Sequence, residues 1–438
     1  MQRRPNAELF RDRTNRSMSH SLTRSEFLRL TATALPTLLW TRGAFAQSGS
    51  GSQNLLRDQR RERIADVFRM YHLQGSHRTA TAVDNDSGEW LAGQASRIGA
   101  EVTPRRFSLD RIDLHACTIE SGGTTREGLP FFDGGFTSAD AVRGRIGAPG
   151  SGAPIALVTL DQAAISSEGR SSAALRNDRS LQAIVAVTEG GEPGLCPSNA
   201  LSFLHPYGVP VVQVSSTAKE WLTDLSLSGT DVRLLAYATR TKTTAENILA
   251  SVLGRHPELP PVVVMTPRSG WWQCVSERGG GLACWLEIMH AVAEARPERT
   301  VRFLASSGHE LGHLGLDSFL HEEPSLIKGA SAWLHLGANI GAASGRLRLQ
   351  ASDDELEALA VAAMAKADAR VDGRVPRGTV PGGEARNIHA GGGRYVSMLG
   401  TGPYFHNPLD LWPHAVDLEA ITKYAEAATE LALSLARA

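Results

Sequence analysis

Cysteine is scarce in this 438-residue chain: Cys117, Cys196, Cys274 and Cys284 are the only four. Their spacing fits no zinc pattern, which leaves a structural disulfide or plain buried thiols, and four cysteines allow three pairings. A surplus of one charge is also missing. The 45 Lys and Arg balance 46 Asp and Glu to a net charge of -1, and no window is strongly basic. Neither nucleic acid nor an anionic membrane surface is therefore expected as a partner. Long apolar runs are lacking too: the stretch Phe27 to Trp40 is too short to span a bilayer.

The N-terminus reads as a targeting signal. Arg3, Arg4, Arg11, Arg13 and Arg16 form a basic region ahead of the apolar stretch, and Ala44 and Ala46 offer a cleavage site before Gln47. Thr23 to Arg29 resembles the twin-arginine export motif, except that Ser25 stands where the second arginine belongs. The expectation is a signal over 1–46 and an exported protein, periplasmic or secreted, with no integral span once the signal is removed.

At this length and with 42% hydrophobic residues the chain can fill two cores. Helical spacing covers Arg60 to Tyr71 and Gly88 to Ile98, and Glu101 to Ile119 alternates as a strand does. From about Gly122 the texture turns to Gly, Ser and Ala. Within it, strands are expected at Pro154 to Leu160, Ala183 to Val187 and Val209 to Val214, and helices at Ser171 to Arg179 and Ala200 to His205. Asp231 to Thr239 closes this smaller α/β or β-rich module. The second half alternates strand and helix. Strands are expected at Pro261 to Met265, Val301 to Ser306, Ala332 to Leu336 and Tyr395 to Leu399, with helices at Leu282 to Ala295, Asp353 to Ala369 and Leu418 to Ala436. That pattern predicts an α/β three-layer sandwich around a mostly parallel sheet, whose ligand crevice lies beyond the carboxyl ends of the strands.

Several segments follow one order and spacing: Glu246 to Leu249, Pro261 to Met265, Leu282 to Val292, Arg299 to Leu304 leading into Gly308-His309-Glu310-Leu311-Gly312, and Tyr404 to Asp410. In that order the chain resembles the zinc exopeptidases of peptidase clan MH, family M twenty-eight, which include aminopeptidases. The middle module resembles the protease-associated insert that many of them carry. The resemblance implies an N-terminal part of the catalytic-type domain over 54–120, the insert over 121–232 and the exopeptidase-like domain over 233–438.

It also implies two zinc ions held by five side chains, with a glutamate as general base. At the first ligand position this chain has Pro267, whose side chain cannot donate to a metal, and Ser269 replaces the orienting aspartate. The bridging carboxylate matches Glu277, for which a surface carboxylate paired with Arg278 is the alternative. The base and the next ligand match His309 and Glu310, the fourth ligand matches Gly337, and the last matches His406, with Asp410 four residues on. Glu277, Glu310 and His406 would suffice for one zinc, since three protein ligands and a water make an open site.

His309-Glu310-Leu311-Gly312-His313 also spells HExxH, but the longer pattern fails at Leu316 and Phe319, which argues against an independent zincin site. His313 and His335 are candidate accessories, His335 because it shares a strand face with Gly337. Arg268, Trp271 and Trp272, with Gly279 to Gly281, are candidate pocket residues for an aromatic or carboxylate group, ordinary packing being the alternative. Two functions follow. One is a one-zinc amide or peptide hydrolase with His309 as base. The other is a metal-free protein that binds peptides or small ligands on the same fold.

Overall fold

Alternation along the central strands decides the layers. A computed structural model describes residues 49–437, so the expected signal lies outside the described residues. The elements that position the site are α1 (Gly49–Gln74), α2 (Ala82–Ile98), β1 (Glu101–Ser121), β2 (Val142–Gly147), β3 (Ile155–Asp161), β4 (Ala183–Glu189), β5 (Val211–Ser215) and α3 (Lys219–Ser228). They continue with β6 (Asp231–Val252), β7 (Val262–Pro267), α4 (Val275–Ala295), β8 (Val301–Ser306), α5 (Leu314–Glu322), β9 (Ala332–Leu336), β10 (Arg346–Ala351), α6 (Asp354–Lys366), α7 (Ala385–Ala390), β11 (Tyr395–Thr401) and α8 (Leu418–Ala436).

In β7, Val262 and Val264 face a core shared with α1, α2, α4, α6 and α8, while Val263 and Met265 face one shared with α5 and α7. Side chains buried on both faces are what a covered parallel strand requires. The main sheet runs β10-β11-β9-β7-β8-β6-β1. Its centre, β11, β9, β7 and β8, is parallel, and its flanks are antiparallel. This is the expected three-layer α/β sandwich.

Two long strands tie the molecule together. β1 and β6 pair from Glu101↔Ser251 to Glu120↔Arg233, with one bulge between Leu114 and Ala116. The far half of β6 takes β2 as an antiparallel neighbour, and β2, β3, β4 and β5 continue as a smaller parallel sheet around a core that includes Val185, Val212 and Leu234. The strand expected to end at Thr239 thus runs on to Val252. Its middle, Arg240 to Thr244, is mostly exposed on both faces and carries no hydrophobic alternation. Two other expectations change. Ala200 to His205 forms turns, and Ser171 to Arg179 yields only the single turns Glu168–Ser171 and Ala173–Arg176. Among the described residues no helix is long and apolar enough to cross a membrane.

Gly279, Gly280 and Gly281 are buried inside α4. They let the helix approach three neighbours at once. A Cβ would fall 2.6 Å from the Phe68 ring at 279, 1.9 Å from the Ile340 carbonyl oxygen at 280, and 2.3 Å from Thr266 Oγ1 at 281. The contact at 280 is with backbone, which cannot swing aside. Gly280→Ala should therefore destabilise by about 1–3 kcal/mol, the usual range for overpacking, as read by urea unfolding.

Candidate ligand site at the ends of the parallel strands

The chain leaves β7 at Pro267, β8 at Ser306, β9 at Leu336 and β11 at Thr401, and these ends lie side by side. The loops that follow carry the candidate residues, as the switch-point rule expects. The backbone there is held in uncommon conformations. Cys274, His313, Asn339 and His406 are non-glycine residues with φ of 51°, 73°, 57° and 59°. A left-handed conformation costs such a residue roughly 1–2 kcal/mol, so the surroundings must hold each one there.

Glu277 and Arg278 open α4. Asp410 accepts from the backbone N–H groups of Ser276 (2.7 Å) and Glu277 (3.0 Å), capping the helix start. Glu277 then pairs with Arg278, Oε1 to guanidinium, at 2.7 Å, and Arg278 Nε donates to the Ser269 carbonyl at 2.7 Å. The pair expected on the surface is formed, but both residues are only 1% exposed. Burial opposes the Arg278 charge, yet Glu277 and other neighbours outweigh it and the guanidinium stays cationic.

Four histidines surround this charge. Burial first, and Arg278 among the neighbours, depress the imidazoles of His309, His313, His335 and His406. The positive charge at the centre of the site therefore belongs to the chain itself, and the imidazoles stay neutral at pH 7.

His406 Nδ1 donates to the Pro197 carbonyl at 2.7 Å, since a carbonyl can only accept. Its Nε2 is left as an acceptor without a hydrogen-bond partner, 3.6 Å from Glu277 Oε1. Glu310 is turned another way. It accepts from Thr79 N (2.9 Å), Thr79 Oγ1 (2.6 Å) and Ser269 Oγ (2.7 Å), and it is fully buried.

His309 lies beside Glu384, 3.4 Å from Nδ1, and Glu384 accepts from Ser306 Oγ at 2.7 Å. Its ring stacks on His313 at 4.7 Å. The two are not on one helical face, because His309–Leu311 is a single 3-10 turn that Gly312 and His313 end with positive φ. His335 sits on β9, bonded to Ser397 Oγ at 2.8 Å. A Cβ on Gly337 would fall 2.9 Å from the His335 ring and 2.7 Å from Leu399 Cδ1, so the space an aspartate would need there is already filled.

The candidate pocket residues have other duties. Arg268 is fully buried and bound to Asp84 at 2.7 Å and to the Glu246 carbonyl at 2.5 Å. Trp271 and Trp272 clamp a segment of the smaller sheet over the site, donating to Asn199 Oδ1 (3.3 Å) and to the Leu195 carbonyl (3.0 Å). The same segment is held by Asn407 Nδ2 on the Glu192 carbonyl (2.7 Å), by His406 on Pro197, and by Ala200 N on the Glu310 carbonyl (2.8 Å). It packs on His406 and Glu310, and Glu277 and Arg278 are buried beside them. Beside it opens a cleft of about 510 Å³, lined on one wall by Gln162, Arg170 and Glu192 and on the other by His309, His313, Asn339, Arg348 and Arg386. Spacing in the sequence does not mark Glu384, Asn339 or these arginines, because they come from segments far apart in the chain: Arg170, Asn339, Arg348 on β10, and Glu384 with Arg386 at α7.

These residues do not fit a pair of zinc ions. Pro267 and Gly337 offer no donor, the Glu277 carboxylate is paired with Arg278, and that of Glu310 is bonded to Thr79 and Ser269. Among the described residues no group of three or more His, Cys, Asp or Glu is placed to hold a metal ion. All four cysteines are buried and free.

The neutral buried imidazoles carry a pH prediction. Burial lowers His335 from 6.5 to about 4. Between those values the unfolded chain binds a proton that the folded site refuses, so this contribution is present above pH 6.5 and lost as pH falls toward 4. Asp410, which burial raises from 3.8 to about 7, acts in the opposite sense over its own range, so a variant has to isolate the histidine. His335→Gln should destabilise at pH 7, and its deficit should shrink by roughly 2 kcal/mol at pH 4.5. Equal deficits at the two pH values, by urea unfolding, would contradict a neutral buried His335.

No protein-family model matches the chain, and no curated protein sequence does. Solved structures do match. The Peptidase M28 precursor from Shewanella amazonensis superposes with a TM-score of 0.70 at 15% identity, over 89% of this chain and 98% of that one. BSAP, a zinc aminopeptidase from Bacillus subtilis, gives 0.69 at 16% identity, over 87% and 95%. An aminopeptidase from Aneurinibacillus sp. strain AM-1 gives 0.64 at 15%, over 86% and 94%. The chain has the fold of the zinc aminopeptidases from end to end of the matched region.

Proposed function

We propose that this chain is an exported, metal-free ligand-binding protein on the zinc-aminopeptidase fold, with the module over 121–232 closing over a binding cleft for peptides or small amide-containing ligands. The observation that carries the reading is Arg278, a buried guanidinium paired with Glu277 at 2.7 Å and surrounded by neutral histidines. A guanidinium fixed in the interior supplies positive charge where a metal would otherwise bring it, but it cannot generate hydroxide from water as a metal does. The loss of donors at Pro267 and Gly337 and the covered state of Glu277, Glu310 and His406 support the same reading.

A second reading is a peptidase-like hydrolase using one zinc on Glu277, Glu310 and His406, with His309 as base. What favours it is the orphaned acceptor His406 Nε2, which faces the Glu277 carboxylate at 3.6 Å. The zinc aminopeptidases that share the fold point the same way.

One measurement separates the two. Full-length protein, stripped with chelator and dialysed against zinc, should retain no stoichiometric metal by elemental analysis. It should also show no chelator-sensitive turnover of aminoacyl anilides. One zinc per chain, lost in His406→Ala, would establish the second reading and sink the first.

A further inference from the structure

The cleft beside the covered site has charges that the covered site does not use. Three arginines line it: Arg170 from the smaller sheet's connections, Arg348 from β10 and Arg386 from α7. Glu192 is the single acidic residue on its wall. Among the described residues none of the three arginines forms an ion pair. Arg386 donates only to His313 Nε2, at 3.3 Å, and that ring's Nδ1 is held by Asn387 Oδ1 at 2.8 Å.

Cations gathered without ion-pair partners repel one another. Arg386 shows this: burial and the Arg170 charge both weaken its hold on the proton, and only Asp317 opposes them. The neighbouring imidazoles of His309 and His313 are neutral and do nothing to balance the charge. Two carboxylates lie near this wall, and neither forms an ion pair with any of the three arginines. Asp317 accepts from Asn387 Nδ2 at 2.5 Å, and Glu384 from Ser306 Oγ. A volume of about 510 Å³ falls within the range of small-molecule sites.

From this geometry we propose that the cleft is an oxyanion site, and that the ligand of the proposed binding function is acidic, a carboxylate-bearing peptide of about two residues. Arg170 grips it from one wall and Arg348 and Arg386 from the other, so that binding also joins the two sheets' loops. Guanidinium forks are suited to this because they meet a carboxylate with two parallel N–H donors. The inference rests on the ligand-binding reading above, and the test is arranged so that the two can fail separately.

Calorimetric titration of the full-length chain should compare the dipeptide Glu-Glu with its neutral isostere Gln-Gln at low ionic strength. Glu-Glu is expected to bind about 10-fold tighter or more, as charge-assisted hydrogen bonds would give, and added salt should narrow the gap. In Arg170→Gln/Arg386→Gln the preference should fall to within about 2-fold. Arg348→Gln, at an exposed position, should narrow it partway. Equal affinities in the wild type, or an undiminished preference in the double variant, would overturn the proposal. Inorganic phosphate supplies the separate arm, through its effect on melting temperature. If neither dipeptide binds but phosphate raises the melting temperature of wild type and not of the double variant, the oxyanion site stands and the peptide reading falls. If phosphate has no effect either, both fall.

Discussion

Arg278→Met is expected to cost about 3–5 kcal/mol of folding stability, the usual penalty for removing one partner of a buried ion pair. The reason is what remains. Glu277 would keep its two backbone constraints, the helix N–H bonded to Asp410 and the carbonyl that accepts from Asn339 N at 3.1 Å, so its carboxylate could not swing out to water. The substitution also orphans the Ser269 carbonyl, now bonded to Arg278 Nε. Adding Glu277→Gln should recover a good part of the loss, because the buried charge is then gone. Urea unfolding of the two singles and the double gives the coupling directly. A loss below about 1 kcal/mol in Arg278→Met would mean that Glu277 finds its counter-charge elsewhere, and the guanidinium would lose its claim to be the site's cation. Should the single variant instead take up zinc that wild type refuses, the guanidinium would be shown to hold the position a metal otherwise fills.

The parallel core was legible because its strands are buried on both faces and read as short apolar bursts: 301–306 and 332–336 match residue for residue, as does the last helix, Leu418–Ala436. Elements whose stability comes from pairing and not from burial were not legible. The middle of β6 is polar on both faces and is held by β1 along its whole length. β10 is a different case: Arg346-Leu347-Arg348-Leu349 alternates and sends its leucines into the core, a short signal that the sequence reading passed over. At the site, the positions that lost their donors could be read from residue type alone, since proline and glycine have nothing to offer a metal. What replaced them could not. Arg278 was visible as a neighbour of Glu277, but nothing in the sequence says that a capping carboxylate 132 residues downstream of Arg278, Asp410, seats both inside the protein. Likewise the role of Trp271 and Trp272 depends on where a loop from the smaller sheet comes to rest, and loop docking leaves no periodicity to detect.

The second large effect concerns a pair that the sequence offered as a pocket residue. Asp84→Ala should destabilise by about 3–5 kcal/mol, because it strands Arg268 without a counter-charge in a position with no route to solvent. Both residues are fully buried, with Asp84 Oδ1 2.7 Å from the guanidinium, and Asp84 also accepts from Ala80 N and Ser307 Oγ, each at 2.8 Å. The guanidinium in turn binds the Asp84 and Glu246 carbonyls, so one cation joins α2, β6 and the end of β7. Even the helix is shaped for it: a Cβ on Gly88 would lie 3.1 Å from the guanidinium carbon. Replacing the pair with apolar side chains, Asp84→Leu/Arg268→Met, should cost less than the sum of the single changes, since it removes both charges and leaves only unpaired carbonyls and N–H groups. The thermodynamic cycle is measured by urea unfolding, with far-UV circular dichroism confirming that each variant folds. Additive losses would show that Asp84 and Arg268 are stabilised independently and would return Arg268 to the candidates for ligand contact. Strong coupling, with ligand affinity unchanged in the double variant, would place Arg268 in the scaffold that holds Ser307 and the floor of the cleft.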